Sequence, residues 1–489
     1  MMKRYLNMLM VVALLTGLSG CALLGIDDER PHLFALPDSY GDAQTALPSD
    51  LAKLDAIPSA WWILYQDPQL NALVEKAIQN NSNIQAAVAR IEEADAQMRE
   101  AGAALLPTVD LGADGVRNRV TETGFFPPFG PNPRENYNLS FRASFELDFW
   151  GKFKRTKEAA RANFLSTQYA KEMIKLSTES LVVNSYLNLR SLDSQLTNVR
   201  ENLSISEESL ALAKRRQEGG IVSILDVQQA SLVRDDLLLQ EQETIRLRKL
   251  TEHVLNILTL EEVNLDEASL ASLPMPPIPP VGVPSSLLEN RPDVRQAEQE
   301  MIAANARMGA AKAALYPSIS LTSSFGGESF ALGDILKSAS RIWSYGLGLN
   351  LPIFNGGILS SRVDQASARQ KQALQAYISA VSTAFKEVND ALVNLRQYHT
   401  IENIADSKKE TTQAMLAVAR NRYQAGYSSY LDVLEAQRSH IEAAQSFVQS
   451  RQNTLNATVD VFKALGGGWQ GSITQDASSD NVVTNQVAK

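Results

Sequence analysis

Two distant stretches carry the same side chains at the same spacing: Arg216-x3-Gly220-x4-Leu225-Asp226-Val227-x2-Ala230 and Arg422-x3-Gly426-x4-Leu431-Asp432-Val433-x2-Ala436. The chemistry open to them is that of helix ends. Ser223-Ile224-Leu225-Asp226 and Ser429-Tyr430-Leu431-Asp432 have capping-box spacing, in which a hydroxyl and a carboxylate three residues apart satisfy the first amides of a helix. The spacing therefore favours capping as the role of Asp226 and Asp432. Glu435, one turn further, is a carboxylate with no cap to make. Gly219-Gly220 and Gly466–Gly468 read as helix stops, not phosphate loops. Catalysis is poorly served elsewhere. His32, His253, His399 and His440 lie far apart, and His399 continues a heptad seam. Serines and carboxylates form neither a nucleophile elbow nor zinc spacing. The ten methionines are not clustered. No enzyme activity, metal or cofactor is expected.

Cys21 is the only cysteine, so intrachain disulfides and a thiolate metal site are excluded. Its setting gives it another chemistry. Lys3 and Arg4 precede an apolar core around Leu9–Leu18, and the stretch ends Leu18-Ser19-Gly20-Cys21. That is a lipoprotein signal, with a covalent lipid expected on Cys21. Ala22 follows, not the Asp that in such lipoproteins usually signals retention at the inner membrane. The formal charge is −9, and loss of Lys3 and Arg4 leaves the remainder more acidic, which argues against nucleic acid as a partner.

The elements that would position the paired turns begin with strands. In Tyr137–Phe149, Tyr137, Leu139, Phe141, Ala143, Phe145, Leu147 and Phe149 alternate with Asn138, Ser140, Arg142, Ser144, Glu146 and Asp148. Alternate side chains leave opposite faces of a strand, so one face is apolar and the other polar. At ~3.3 Å per residue this stretch spans ~43 Å, about twice a usual globular strand. Tilted by ~40°, it covers an outer membrane's apolar thickness. A second stretch repeats the pattern, with Trp343, Tyr345, Leu347, Leu349, Leu351 and Ile353 alternating with small and polar residues. Weaker partners precede each: Val109, Leu111 and Ala113, then Ile319, Leu321 and Phe325. The reading is two hairpins, with Thr121–Asn136 as the first one's outer loop. Open sheet edges cannot face lipid, and closed membrane barrels begin at about eight strands. The chain must therefore oligomerise.

The rest is helical. From Lys152 to Glu218 there is neither Gly nor Pro, enough for a helix of ~100 Å. Val182, Leu189, Leu196, Leu203 and Leu210 recur every seventh residue, with Leu192 and Val199 between them, as in a coiled-coil seam. Ile358–Ala425 repeats the design, with Ile378, Val381, Phe385, Val388, Leu392 and Leu395 as its seam. Asp293–Leu321 aligns with Asn83–Leu111, Ala-Leu-Tyr-Pro against Ala-Leu-Leu-Pro. The order is then a signal peptide (1–20), an extended tether (21–60), a first repeat (61–260), a Pro-rich linker (261–289), a second repeat (290–469) and a disordered polar tail (470–489). The first repeat holds a hairpin at about 107–150, a long helix at 152–218 and a helix at 223–260. The second holds a hairpin at about 317–354, a long helix at 358–425 and a helix at 429–465. Two short helices end to end match one long helix running the other way. In an oligomer, apolar seams would bind neighbours and polar faces would line a bore.

Trp61-Trp62-x2-Tyr65-x-Asp67-Pro68, Asn290-Arg291-Pro292-Asp293-Val294-Arg295-x-Ala297-Glu298, Tyr316-Pro317-Ser318-Ile319-Ser320-Leu321 and the duplicated turns complete the picture. Over about Trp61–Trp469 the chain resembles the TolC-like outer-membrane efflux factors, in their NodT-type lipoprotein branch. The resemblance implies a homotrimer: a twelve-stranded β-barrel continuous with a long antiparallel α-helical barrel in the periplasm, from a chain with a two-fold internal repeat. It also implies a passive exit duct for drugs or other small toxic molecules, joined to a periplasmic adaptor and an inner-membrane transporter of the resistance-nodulation-division class. Tyr423, Leu431 and Glu435, with Asp432 beside them, match the family's constriction, and the Arg216–Asp226 and Arg422–Gly426 turns its adaptor-docking end. Family members often carry Arg after that Tyr; here it is Gln424, so a Leu ring with a carboxylate ring fits better than an Arg–carboxylate lock. Leu139, Phe141, Phe145, Leu147, Phe149, Trp343, Tyr345, Leu347 and Leu349 would face outer-membrane lipid. The exit duct of a type I protein-secretion system shares this architecture and stays open as an alternative. A trimeric surface scaffold or adhesin is a second alternative, less suited to two intercalated hairpin-plus-helix units.

Overall fold

The computed structural model describes residues 57–125, 130–278 and 290–469. The signal, Cys21, nearly all of the tether, residues 126–129 of the first hairpin loop, the end of the linker and the polar tail lie outside the described residues. In chain order the described elements are a 3-10 turn (Trp61–Tyr65), α1 (Pro68–Asn80), α2 (Ser82–Ala103), β1 (Thr108–Asn118), β2 (Arg134–Leu147), α3 (Lys152–Glu218) and α4 (Ile224–Thr259). The second half runs α5 (Pro292–Ala313), β3 (Ser318–Ser329), β4 (Arg341–Asn350), α6 (Ile358–Gln424) and α7 (Tyr430–Ala464). Among the described residues no helix is long and apolar enough to cross a membrane.

The chain divides into two compact units, and they do not follow the sequence repeats. One is formed by Arg90–Thr167 and Ala297–Tyr377, the other by Gln168–Gln296, the residues from Ile378 onward and the described residues up to Ala89. Each unit therefore draws on both repeats. The cuts fall inside α2, α3, α5 and α6.

The first unit holds one antiparallel sheet of order β1-β2-β3-β4. The two expected hairpins are present, and β2 also pairs with β3, so they form a single sheet. Register aligns the faces across all four strands. Leu111, Phe141, Phe325 and Trp343 stand in one row, each more than half exposed. Beyond the row of Val109, Ala143, Ser323 and Tyr345 on that face, Phe145, Leu321 and Leu347 form another apolar row, and Leu147, Ile319 and Leu349 a further one. Asp110, Arg142, Ser324 and Ser344 form a row of the opposite face.

Three strand expectations need correction. β2 starts earlier than expected, at Arg134, and ends at Leu147, so Phe149 lies outside it. The reason is Asp148, whose carboxylate accepts from the amides of Phe153 (3.1 Å) and Lys154 (2.8 Å) and so starts α3. Trp150 is held in the turn, stacked on Tyr316 and donating to the Pro317 carbonyl at 2.7 Å. Leu351 and Ile353 likewise fall beyond β4, where Pro352 has no amide to donate. Finally, Ser140 on the polar face is buried. It pairs with Gly326, where an added Cβ would come within 2.1 Å of the Leu139 carbonyl oxygen. Only glycine permits that approach.

The second unit is organised around Trp61-Trp62-x2-Tyr65. Trp61 and Tyr65 are fully buried, in a cluster with Leu70, Tyr186, Leu255 and Phe462. Trp61 stacks on Phe462 with ring centroids 5.4 Å apart, and the Tyr65 hydroxyl bonds Thr458 Oγ1 at 2.6 Å. Asp67 caps α1 through the amides of Gln69 and Leu70 and accepts a short hydrogen bond from the Tyr186 hydroxyl. Of the heptad seams, Val182, Leu189, Leu192, Leu196, Val199 and Leu210 of α3 and Val381, Phe385, Val388, Leu392 and Leu395 of α6 are buried within the chain, whereas Leu203 and Ile378 are only half-buried.

The start of the expected linker is fastened rather than free. Buried Arg190 donates to Asp193 (2.9 Å) and to the Asp266 carbonyl (2.6 Å). Buried Arg248 donates to Asp193 (2.7 Å) and to the Leu265 carbonyl (2.7 Å). Removing one member would strand a buried charge, which costs far more than the pair contributes. The Asn290-Arg291 segment opens the second repeat in a similar way. Arg291 is buried and donates to the Ala464 carbonyl at 3.0 Å, closing the end of α7, with Asp293 and Glu387 as counter-charges.

Candidate functional site: the paired helical turns

The two duplicated turns are built alike, down to single hydrogen bonds. At the end of α3, Gly220 takes a positive φ of 72°. Its amide donates to the Gln217 carbonyl at 2.9 Å, and the Ile221 amide to the Arg216 carbonyl at 2.9 Å. At the end of α6, Gly426 takes a φ of 82°, with Gly426 to Tyr423 at 3.0 Å and Tyr427 to Arg422 at 2.8 Å. This is a Schellman stop, and left-handed φ selects glycine. The next helices start at Ser223 and Ser429, each with a complete capping box to Asp226 and Asp432. The whole spacing of Arg, Gly, Ser and Asp is thus spent on ending one helix and starting the next. The aspartates are caps, as their spacing predicted.

The expected constriction residues do not share one environment. Leu431 is 60% exposed and Glu435 is exposed, free to face a neighbour or a bore. Tyr423 is 5% exposed and cannot line a bore with them. Its ring packs with Leu210, Ala213, Leu416, Tyr430 and Val433, 5.4 Å from the Tyr430 ring. Arg216 covers its other side, guanidinium 4.5 Å from the ring centroid. The same guanidinium donates to the Tyr423 carbonyl (3.1 Å) and the Gln424 carbonyl (3.0 Å). These end α6, where orphan carbonyls and the helix dipole favour a cation. Tyr423 is therefore a joint between the repeats and not a member of an exposed ring.

One residue was missed. Leu225 occupies in the first turn the place of Leu431 in the second, and it is 56% exposed. The duplicated motif already placed the two leucines in register. Arg422, the counterpart of Arg216, is exposed. Tyr430 feels its burial most: its hydroxyl is pushed up to about 12, with Tyr423 and Asp226 adding to the effect.

An apolar sheet face that four strands cannot close, joined in one chain to paired helical turns with exposed leucines, defines a membrane channel subunit. The outer membrane efflux protein family matches the chain twice, over residues 73–258 and 283–467. The toluene efflux pump outer membrane protein TtgF of Pseudomonas putida is 31% identical, the match covering 96% of this chain and 98% of TtgF. The cation efflux system protein CusC of Escherichia coli is 32% identical, over 93% and 97% of the two chains. The crystal structure of the CmeC outer membrane channel of Campylobacter jejuni superposes with a TM-score of 0.85 at 27% identity, covering 92% of this chain and 96% of CmeC. The chain belongs to the outer membrane efflux protein family. It is the outer-membrane channel component of an efflux pump and not an enzyme.

Proposed function

We propose that three copies of this chain, each lipidated on Cys21, close a barrel in the outer membrane. The barrel would open into a helical conduit fed by a periplasmic adaptor and an inner-membrane transporter of the resistance-nodulation-division class. The observation that carries this reading is the sheet register. The row Leu111, Phe141, Phe325 and Trp343 gives four strands one continuous apolar face, suited to lipid. Four strands leave two open edges that lipid cannot satisfy, and neighbouring copies would pair them. Polar residues on the opposite face would line the lumen. In this reading the duct is passive, and the pump supplies direction and selectivity.

In the helical part, three copies of the paired turns would meet at one axis. Rings of Leu431, joined by Leu225, would narrow and dewet the opening. Glu435 would form a carboxylate ring that attracts cations. Similarity to channels named for toluene and cation efflux supports small toxic molecules or ions as the cargo, in preference to a secreted protein. The test is genetic and physical together. Deleting the gene sensitises cells to such compounds, the intact chain restores resistance, and protein extracted from the outer membrane has the native mass of three lipidated chains. A monomeric extract, or unchanged sensitivity to every pump substrate class, overturns the proposal.

A further inference from the structure

The two turns match residue for residue, but their arginines do not behave alike. Pairing Arg216 with Arg422 and Gly220 with Gly426 also pairs Gln217 with Tyr423 and Glu218 with Gln424. Arg216 closes the end of α6 in the other repeat by donating to the carbonyls of Tyr423 and Gln424. Arg422 has the same place in its own Schellman stop, yet its side chain is exposed and meets no acceptor among the described residues. The end of α3 shows the complementary gap. Its Gln217 carbonyl accepts only the Gly220 amide, and its Glu218 carbonyl accepts nothing among the described residues. An arginine without acceptors and a helix end whose last carbonyls meet no side-chain donor among the described residues therefore occur in one chain, at positions that the other repeat shows to be partners.

We infer that Arg422 caps the end of α3 in the next copy of the chain, donating to the Gln217 and Glu218 carbonyls there. This rests on the trimer proposed above. In a closed ring the repeats alternate first, second, first, second. Each first repeat faces the second repeat of its own chain on one side, and each second repeat faces the first repeat of the neighbour. The contact that Arg216 makes inside a chain then recurs between chains through Arg422. The two kinds of joint differ in one respect. Arg216 lies over an aromatic ring at Tyr423, whereas Arg422 would meet Gln217 and the Glu218 carboxylate. The joint between chains is thus held by charge and hydrogen bonds without the cation–π contact, and salt weakens it more. The tip loosens between chains before it loosens within one.

Hydrogen exchange on the intact purified protein separates the two joints. Arg216→Ala should expose the Gly426 and Tyr427 amides, in the turn of the opposite repeat. Arg422→Ala should expose the Gly220 and Ile221 amides, also in the opposite repeat, although no contact within one chain links them. Added salt should raise exchange at Gly220 and Ile221 before Gly426 and Tyr427. A second measurement does not depend on those variants. A short bismaleimide should join Arg422→Cys to Glu218→Cys between chains, giving covalent dimers and trimers on a denaturing gel. The pair Arg216→Cys and Gln424→Cys should close within one chain and leave its mass class unchanged. If the native mass is that of a trimer but Arg422→Ala alters only its own turn, and the Arg422/Glu218 pair stays monomeric, the inference is wrong while the trimer stands. If the native mass is that of a monomer, both fall.

Discussion

Trp61 donates its indole N–H to the carboxylate of Glu179 at 3.4 Å, and both side chains are buried. Among the described residues, the cation paired with that carboxylate is Lys175, 3.9 Å away. Burial dominates over these two aids and pushes Glu179 up to about 7. The folded chain therefore binds this proton more tightly than the unfolded chain. The stabilisation is complete below the ordinary carboxylate range and fades as pH rises through about 7. The loss amounts to about 3 kcal/mol at most. Thermal melts should thus fall between pH 5 and pH 8, and Glu179→Gln should flatten that slope. A wild-type melt that does not change over this interval contradicts the assignment.

The sheet makes a face-specific prediction. Arg in place of Leu139 or Leu347 should cost about 2–4 kcal/mol by placing a charge against lipid. The same change at Ser344 or Ser144, exposed on the polar face, should be mild. Ser140, on the same polar face, should not tolerate the change, because it is buried against Gly326. Yield of folded trimer is the measurement, and equal damage at Leu347 and Ser344 would mean that the apolar row does not meet lipid.

Much of this was legible in the sequence, and the failures share a cause. Runs without Gly or Pro gave α3 its bounds and α6 its bounds to within one residue, because an uninterrupted heptad pattern has no competing fold. Alternation gave the strand faces because side-chain period is a local property. What alternation could not give was where β2 stops: that depends on Asp148 turning to cap α3. It could not give the burial of Ser140, which depends on a glycine in a strand paired only after folding. Tyr423 was misplaced for the same reason. Its neighbours Arg216 and Leu210 come from the other repeat, and position in a motif says nothing about what a side chain packs against. The Trp61-Trp62 segment served only as a family mark in the sequence; in the structure it is the centre of a core.

Tyr423 itself gives a paired prediction. Its hydroxyl is buried with no hydrogen-bond partner among the described residues. Removing it should be neutral or slightly stabilising, so Tyr423→Phe should leave the resting conductance and the melt unchanged. Tyr423→Ala removes the ring under Arg216 and should cost about 3–5 kcal/mol locally, raising conductance. Opening by the Phe variant alone would show that the hydroxyl has a partner that a single chain lacks.

Lipidation and insertion should prove separable. The strands carry their own apolar face, so Cys21→Ser behind a cleavable signal should still yield outer-membrane trimers. Recovery of only soluble periplasmic monomer would show that the lipid builds the channel as well as anchoring it.

Closure at the helical turns is the central claim, and single-channel recording of the purified trimer in planar bilayers tests it most directly. Leu431→Ser should raise ion conductance several-fold, because a polar ring no longer dewets the opening, and Leu225→Ser should act in the same direction. Glu435→Gln should lower cation selectivity with little change in conductance. If Leu431→Ser conducts like wild type while a substitution in the first hairpin loop, such as Phe125→Ser, opens the pore, the closed end is at the loops and the account is contradicted.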